Sequence, residues 1–187
     1  MRVIAGSAKG RRLKSPPRTR QPRTDGGTRP STDLVRGAMF SALTAMDADL
    51  SRVLDLYAGT GALGIEALSR GAGSCYFVER DRSACAVINE NLAITGFAGR
   101  AQVHCVAAER VEDRMQGPFT LILADPPYAD ERAQATVAAL ASSTLAQAGA
   151  TVLAIEHAAA MDPPAELGWF SLVKMLRHGD SAVSIYR

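Results

Sequence analysis

Four consecutive residues, Asp125-Pro126-Pro127-Tyr128, place an acid, two prolines and an aromatic directly after an apolar run. That run, residues 119–124, predicts a short buried strand. Proline lacks a backbone donor and fixes φ, so the loop is expected to be stiff and to present its carbonyl oxygens. A carboxylate, exposed carbonyls and an aromatic ring are suited to holding a planar base by its exocyclic amine. The alternative is a rigid turn with a packing aromatic, and the rest of the chain must decide.

A glycine-rich loop earlier in the chain has the pattern of a nucleotide-binding turn. Gly59, Gly61 and Gly64 satisfy G-x-G-x-x-G between a predicted strand and a predicted helix. Glu79 ends the next predicted strand, 20 residues after Gly59, where an acid can accept hydrogen bonds from ribose hydroxyls. A glycine turn alone often serves only close packing, but with this acid it predicts an adenosine-ribose site.

Asp55, just before the glycine turn, indicates which adenosine cofactor is bound. Its carboxylate would repel the pyrophosphate of a dinucleotide and attract the amino group and sulfonium of S-adenosylmethionine. The loop therefore favours S-adenosylmethionine, with S-adenosylhomocysteine as product. The alternative for Asp55 is a cap or turn residue.

The elements that must position these residues alternate between strand and helix. Strands are predicted at 52–56, 74–78, 101–106, 119–124 and 151–156, and helices from Ser31 or Thr32 to about Met46 and at 62–69, 83–94 and 131–145. Residues 171–176 and 182–186 flank a turn and predict an antiparallel edge pair. The pattern predicts an α/β, Rossmann-like fold with a mostly parallel, seven-stranded sheet and helices on both faces. Ligands bind such sheets at the carboxyl ends of the strands, which would bring Asp125 beside the cofactor methyl group.

Charge and composition narrow the partners. Residues 1–31 carry a net charge of +8 and the remainder −6, and a basic arm on an acidic body predicts a polyanion partner, although a solvated tail has the same composition. We expect a basic N-terminal hairpin and loop, 1–30, ahead of a catalytic domain, 31–187. Three cysteines and three histidines are scattered without ligand spacing, so no metal site is expected. Without a membrane span or a signal-peptide core, a cytoplasmic protein is expected.

Several motifs together resemble one known family. The glycine loop (residues 55–64, also called the cofactor loop below), Glu79 and Asp125–Tyr128 are similar to motifs of S-adenosylmethionine-dependent amino-methyltransferases. The narrower resemblance is to the RsmD-like bacterial enzymes that methylate N2 of one guanine in 16S ribosomal RNA. It rests on segments spread over the whole chain: Ile4-Ala5-Gly6, Lys9–Leu13, Arg29–Asp33, Val35-Arg36, Leu68–Ala72 and His178-Gly179-Asp180.

The resemblance implies a role for each matching position. The residues expected at the cofactor are Asp55, Tyr57, Gly59, Thr60, Gly61, Glu79, Arg80, Ala107 and Asp125, and those expected to hold the guanine amine are Asp125, Pro126, Pro127 and Tyr128. The RNA-binding residues expected are Arg2, Lys9, Arg11, Arg12, Lys14, Arg29 and Arg36. Arg29 and Arg36 have an alternative role, which is to pin the N-terminal segment to the acidic body. The partner implied is 16S rRNA in a small-subunit particle, bound by a monomeric enzyme.

Three other functions fit parts of the pattern. A DNA adenine-N6 or cytosine-N4 methyltransferase would use the same four residues, but no segment is long enough for its usual target-recognition region. A nucleic-acid-binding module with a degenerate pocket is disfavoured by the intact Asp55, Glu79 and Asp125. An NAD-dependent oxidoreductase is disfavoured by Asp55 and by the length of the chain.

Overall fold

The computed structural model describes residues 1–16, 30–127 and 130–187. The helices in these ranges are α1 (Pro30–Ala45), α2 (Ala62–Ser69), α3 (Arg82–Thr95) and α4 (Glu131–Leu140). The strands are β1 (Arg52–Leu56), β2 (Ser74–Glu79), β3 (Ala101–Cys105), β4 (Leu121–Ala124), β5 (Val152–Ala158), β6 (Glu166–Leu167), β7 (Phe170–His178) and β8 (Ser181–Tyr186). Single 3₁₀ turns cover Ala98–Arg100 and Ala108–Arg110. None of the helices in the described ranges has the length and apolar character needed to cross a membrane.

All eight strands form one sheet in the order β3-β2-β1-β4-β5-β8-β7-β6. The first five in that order pair in parallel, and β8 is antiparallel to both β5 and β7. The predicted α/β fold with an antiparallel edge is confirmed. Strand order reverses between β1 and β4, so the crevice expected to bind ligands opens between the loops that follow these two strands.

The predicted count of seven strands is wrong by one. β6, which pairs with β7, has two residues. A strand of this length is too short to show a period-2 pattern in the sequence. The turn between β7 and β8 is also tighter than predicted, because β7 continues to His178 and leaves Gly179 and Asp180 as the whole loop.

Several element boundaries differ from the predictions, and two of the differences meet at one hydrogen bond, between Phe119 and Leu145. β4 begins at Leu121 rather than Phe119, since the Phe119 N–H donates to the carbonyl of Leu145 at 2.8 Å. The helix predicted to run to Leu145 ends at Leu140, and the residues that follow turn back toward that strand.

The sheet separates two hydrophobic clusters, and helices cover both faces. Val53 belongs to the cluster beneath α1, α2 and α3, and its neighbour Leu54 belongs to the cluster beneath α4. The alternation follows from the period of two along a strand. All eight residues of α2 are buried, because this helix lies between the sheet and the N-terminal segment.

Residues 1–16, named the N-terminal segment below, pack onto the domain. The predicted β-hairpin appears as one antiparallel bridge between Arg2 and Arg12, and the hairpin itself stays a prediction. Val3, Ala8 and Leu13 are buried in the first cluster. The division of the chain at residue 30 also stays a prediction, and residues 17–29 lie outside the described part.

Candidate active site

Three predicted site residues leave the sheet side by side. Leu56 in β1 is the register partner of Val78 in β2 and of Ala124 in β4. The residues that follow these three along the chain are Tyr57, Glu79 and Asp125, so all three stand at the carboxyl edge, near the point where strand order reverses. The structure thus brings together the glycine loop, Glu79 and Asp125, as the sequence predicts.

The glycine loop is held in a left-handed path. Tyr57, Gly59 and Gly61 have φ values of 57°, 56° and 76°, and a positive φ is strained for a residue with a side chain. A Cβ at Gly64 would lie 2.4 Å from the Phe77 ring, so this glycine is required for α2 to approach the sheet. A Cβ at Gly59 would face nearly open space, which leaves room for a ligand against the backbone.

Asp55 is buried beneath this loop with only half of its carboxylate hydrogen-bonded. One oxygen accepts the Gly64 N–H at 2.8 Å, and the other, Oδ1, has no hydrogen-bond partner among the described residues. Burial raises the pKa of Asp55 well above its usual range, and the nearby carboxylates Asp125 and Glu79 add to the increase. A buried oxygen without a donor in a negative environment fits a cationic ligand group, such as the amino group of S-adenosylmethionine.

Glu79 binds the loop backbone and keeps capacity for a ligand. Its two oxygens accept the N–H groups of Gly59 and Asp81, both at 2.9 Å. A carboxylate has about four acceptor sites, so two ribose hydroxyls can still donate to it. Arg80 beside it is exposed. Ala107, predicted near the adenine, is partly exposed and caps the 3₁₀ turn after β3.

Two side chains predicted at the cofactor have their hydroxyl groups turned to other parts of the protein. The Tyr57 hydroxyl donates to the carbonyl of Ala133 in α4 at 3.3 Å, and burial raises the pKa of Tyr57. The Thr60 hydroxyl contacts Met1 Sδ at 3.5 Å. Tyr57 therefore ties the glycine loop to α4, and Thr60 ties it to the N-terminal segment. A contact of either residue with cofactor stays a prediction.

The described residues of the four-residue loop, Asp125–Pro127, are held at Pro127. Pro126 is buried, while Asp125 and Pro127 are exposed. The Pro127 carbonyl accepts the Asp130 N–H at 3.0 Å, and the Asp130 side chain caps α4 through the N–H groups of Arg132 and Ala133. Both prolines border a cavity of about 350 Å³ that α4 and the end of β5 enclose. Tyr128 lies outside the described residues.

The predicted RNA-binding residues fall into two groups. Arg2, Lys9, Arg11, Arg12 and Lys14 are all exposed on the N-terminal segment, although Lys14 also pairs with Glu90 at 2.9 Å and Arg2 with Asp33 at 3.8 Å. Arg29 lies outside the described residues. These positions leave a band of positive charge on one segment next to the cofactor loop.

Arg36 requires a correction. Its side chain is buried, donates to the Arg2 carbonyl at 2.6 Å and to Asp33 at 3.0 Å, and lies 3.7 Å from Glu66. A guanidinium enclosed in this way is not placed to contact a phosphate. The structure fits the alternative role, in which Arg36 pins the N-terminal segment to the domain.

Sequence reasoning missed two buried polar residues that hold this segment. Glu66, 0% exposed, accepts the N–H groups of Ile4 and Ala5 at 2.8 and 3.0 Å and pairs with Arg70. Asn91, also 0% exposed, binds the backbone of Lys14 and Thr60. A lone acid in the otherwise apolar helix ALGIEALS was the available signal for Glu66. Over the described ranges, no cluster of three or more His, Cys, Asp or Glu side chains is arranged to hold a metal ion.

Comparison with known proteins places the chain in a family. The family model described as Conserved hypothetical protein 95 matches residues 1–187. YlbH of Bacillus subtilis, a candidate rRNA methyltransferase, is 35% identical over 100% of this chain and 98% of its own length. Ribosomal RNA small subunit methyltransferase D of Escherichia coli is 37% identical over 68% of this chain and 60% of that protein.

The solved structures agree with this assignment. A candidate methyltransferase, yhhF, from Escherichia coli superposes with a TM-score of 0.78 at 31% identity, covering 100% of this chain and 96% of its own. The sheet order and the carboxyl-edge crevice described above are therefore those of a methyltransferase fold. Since the family model spans the whole chain, the protein belongs to the Conserved hypothetical protein 95 family, and the predicted RsmD-like resemblance is confirmed.

Proposed function

We propose that this protein transfers a methyl group from S-adenosylmethionine to the exocyclic N2 of one guanine in 16S rRNA. The observation that carries the proposal is the row at the carboxyl edge, where Asp125 stands beside the glycine loop and near the buried Asp55. The names of the relatives, which are rRNA methyltransferases, support an RNA substrate.

The cofactor would be held by two carboxylates and by the backbone of the glycine loop. Asp55 Oδ1 would receive the amino group, and Glu79 would receive the ribose hydroxyls. The left-handed backbone at Gly59 would allow close approach of the ligand. When bound, S-adenosylmethionine supplies an electrophilic methyl group on a positively charged sulfur.

The four-residue loop would act on the guanine amine. The lone pair of an exocyclic amine is delocalised into the ring, so the nitrogen is a poor nucleophile. Asp125 and the Pro126 carbonyl would each accept one N–H bond, which orients the nitrogen and favours a pyramidal geometry. Because Asp125 is exposed, the proton that the nitrogen loses can pass through it to water. Tyr128 is proposed to stack on the base.

The choice of guanine N2 follows from the family resemblance, because the same four residues serve any exocyclic amine. A base in a duplex must be flipped out, and a base in a loop or bulge costs less to present. The exposed basic residues of the N-terminal segment would bind phosphates near that base. We expect the substrate to be presented on a small-subunit particle and the enzyme to act as a cytoplasmic monomer.

One experiment tests the reaction and the substrate together. The protein is incubated with methyl-labelled S-adenosylmethionine and, separately, methyl-deficient 30S subunits, naked 16S RNA, bulk tRNA and duplex DNA, and each product is digested to nucleosides. We expect label in N2-methylguanosine from 30S subunits or 16S RNA. Label in N6-methyladenosine from DNA would support the DNA methyltransferase alternative and contradict the guanine assignment.

A further inference from the structure

Asn91 joins the N-terminal segment to the cofactor loop. It lies in α3 and is 0% exposed, and its side-chain amide makes hydrogen bonds both to the segment and to the loop. Its oxygen accepts the Lys14 N–H at 2.7 Å, and its nitrogen donates to the carbonyls of Lys14 at 3.1 Å and Thr60 at 2.9 Å. Both amide hydrogens are therefore engaged, one by the segment and one by the loop.

The Thr60 end of this link lies in a loop whose conformation needs support. Gly59 and Gly61 on either side of Thr60 have positive φ values. Glu79 fixes the N–H of Gly59, and Asp55 fixes the N–H of Gly64. Asn91 holds the carbonyl between these two points. Among the described residues, three side chains bond to the backbone of the loop: two are proposed cofactor ligands, and the third is shared with the N-terminal segment.

A second contact couples the same two parts. Met1 Sδ lies 3.5 Å from the Thr60 hydroxyl, so both ends of the N-terminal segment reach one residue of the loop. The segment carries the five exposed basic residues assigned to RNA binding, and Val3, Ala8 and Leu13 are buried in the cluster beneath α1, α2 and α3. Two contacts at Thr60, one from Met1 and one from Asn91, therefore join the segment to the loop.

We propose that Asn91 is a positioning residue that makes cofactor binding and RNA binding mutually favourable. The RNA half of this inference rests on the proposed function, and the cofactor half does not. A polyanion that orders the N-terminal segment stabilises the loop in its binding conformation, and a cofactor that orders the loop stabilises the segment. Linkage requires the two effects to be equal in free energy.

The first test uses Asn91→Asp, which keeps the acceptor for the Lys14 N–H and loses both donors. Asn89→Asp on the same helix is the matched control, because Asn89 is exposed and donates only to the Cys85 carbonyl within α3. S-adenosylhomocysteine binding is measured by calorimetry without RNA. We expect the Asn91 variant to bind about tenfold more weakly than wild type, and the Asn89 variant to match wild type. Equal affinity in a folded Asn91 variant would overturn the proposal.

The second test measures the coupling in the wild-type protein and therefore does not depend on a variant that folds. Labelled S-adenosylhomocysteine is titrated by dialysis with and without saturating methyl-deficient 30S subunits. We expect the subunits to raise its affinity about fivefold or more, within the usual range of allosteric coupling. Hydrogen exchange should also show S-adenosylhomocysteine slowing the amides of Val3, Gly10 and Leu13, which bond within the segment, more than those of the β7–β8 ladder.

The outcomes separate this inference from the proposed function. Methylation of guanine N2 without coupling, and without slowed exchange in the N-terminal segment, would overturn the role of Asn91 and leave the function standing. Slowed exchange and weaker cofactor binding in the Asn91 variant, with no methylation of 16S RNA, would contradict the proposed substrate and support the link.

Discussion

At the scale of single residues, the site contains a buried carboxylate whose removal from water costs free energy of folding. Asp55 is 1% exposed and has one hydrogen bond, and removing a carboxylate from water without full compensation is unfavourable. Such a group persists where a ligand offsets the cost. We therefore propose that Asp55 binds the cofactor rather than capping a turn, since its one intramolecular bond could be made equally well by a neutral side chain.

Asp55→Asn should separate stability from binding. The folded pKa of Asp55 lies above its ordinary value of 3.8, so the folded state favours the proton, and stability is lost as pH rises through that raised pKa. Because asparagine does not ionise, the variant does not lose stability in this way as pH rises. We therefore expect its free energy of unfolding at neutral pH to equal or exceed that of wild type. Urea denaturation at several pH values measures the difference, which should grow with pH.

The same variant should bind cofactor poorly. A hydrogen bond between charged groups contributes about 1.5–3 kcal/mol, so S-adenosylhomocysteine affinity should fall by roughly 10- to 150-fold. A bound ammonium favours ionised Asp55, so wild-type affinity should rise with pH below the pKa of an α-amino group, about 8, and that of the variant should not. A flat wild-type profile, or unchanged affinity in the variant, would show that Asp55 is structural.

Asp125→Asn tests the four-residue loop. The variant keeps an oxygen acceptor and the shape of the side chain but loses the charge. We expect kcat for methyl transfer to fall by about 10²-fold or more, the usual cost of removing one positioned electrostatic contact. S-adenosylhomocysteine affinity, measured by calorimetry, should change little. Asp130→Asn, at the cap of α4, is the control, and an Asp125 variant with wild-type kcat would refute the mechanism.

The sequence could predict the position of residues that follow a recognisable strand or glycine pattern. It could not predict which charged side chains are buried by tertiary packing. Asp125, Glu79 and the glycines follow predicted strands directly, so their position at the carboxyl edge follows from the alternation of elements. Arg36 carries the same charge as the exposed basic residues of the N-terminal segment, and only the packing of α1 against α2 buries it beside Glu66.

At the scale of elements, α2 connects the cofactor loop to the core. It begins at the left-handed Gly61 and buries every residue between the sheet and the N-terminal segment. The boundaries of β1 and α2 could be predicted to the residue, because each has a strong apolar pattern and because Gly61 and Gly71 flank α2. The extra strand β6 could not, since two residues are too few to show a period-2 pattern. The early end of α4 could not either, since Leu145 after this helix bonds to Phe119, which is distant in sequence.

Gly64→Ala should destabilise the contact between α2 and the sheet. The added methyl group would lie 2.4 Å from the Phe77 ring and 2.6 Å from Cys75 Sγ, and overpacking of this kind costs about 1–3 kcal/mol. Gly99→Ala is the matched control, because a Cβ there meets nothing within 4 Å. Urea denaturation should show a lower midpoint for the first variant only, and equal midpoints would mean that α2 can shift freely.

At the scale of the whole molecule, opposite charges are distributed between the N-terminal arm and the body. Residues 1–31 carry +8 and the rest of the chain −6, but the described part of the arm is not a free tail. Glu66 and Asn91 bind its backbone, and its apolar side chains enter the core. The N-terminal segment therefore presents positive charge from a fixed position beside the glycine loop, which composition could not predict.

Binding of RNA should depend on the exposed basic residues and not on the buried one. Each lost phosphate contact lowers the slope of log K against log salt by about 0.7–0.9, so the double change Arg11→Ala and Arg12→Ala should lower it by about 1.4–1.8 and weaken binding to 16S RNA. Lys174→Ala, exposed on β7, is the control and should leave the slope unchanged.

The variant Arg36→Ala should instead have a lower free energy of unfolding than wild type. A broken buried ion pair typically costs about 3–5 kcal/mol, and we expect a smaller loss here because Arg70 still pairs with Glu66. Filter binding at several salt concentrations and urea denaturation of the same four proteins distinguish the two effects. A lower slope for a fully folded Arg36 variant, with no change in the Arg11 and Arg12 variant, would reverse the assignment of these residues.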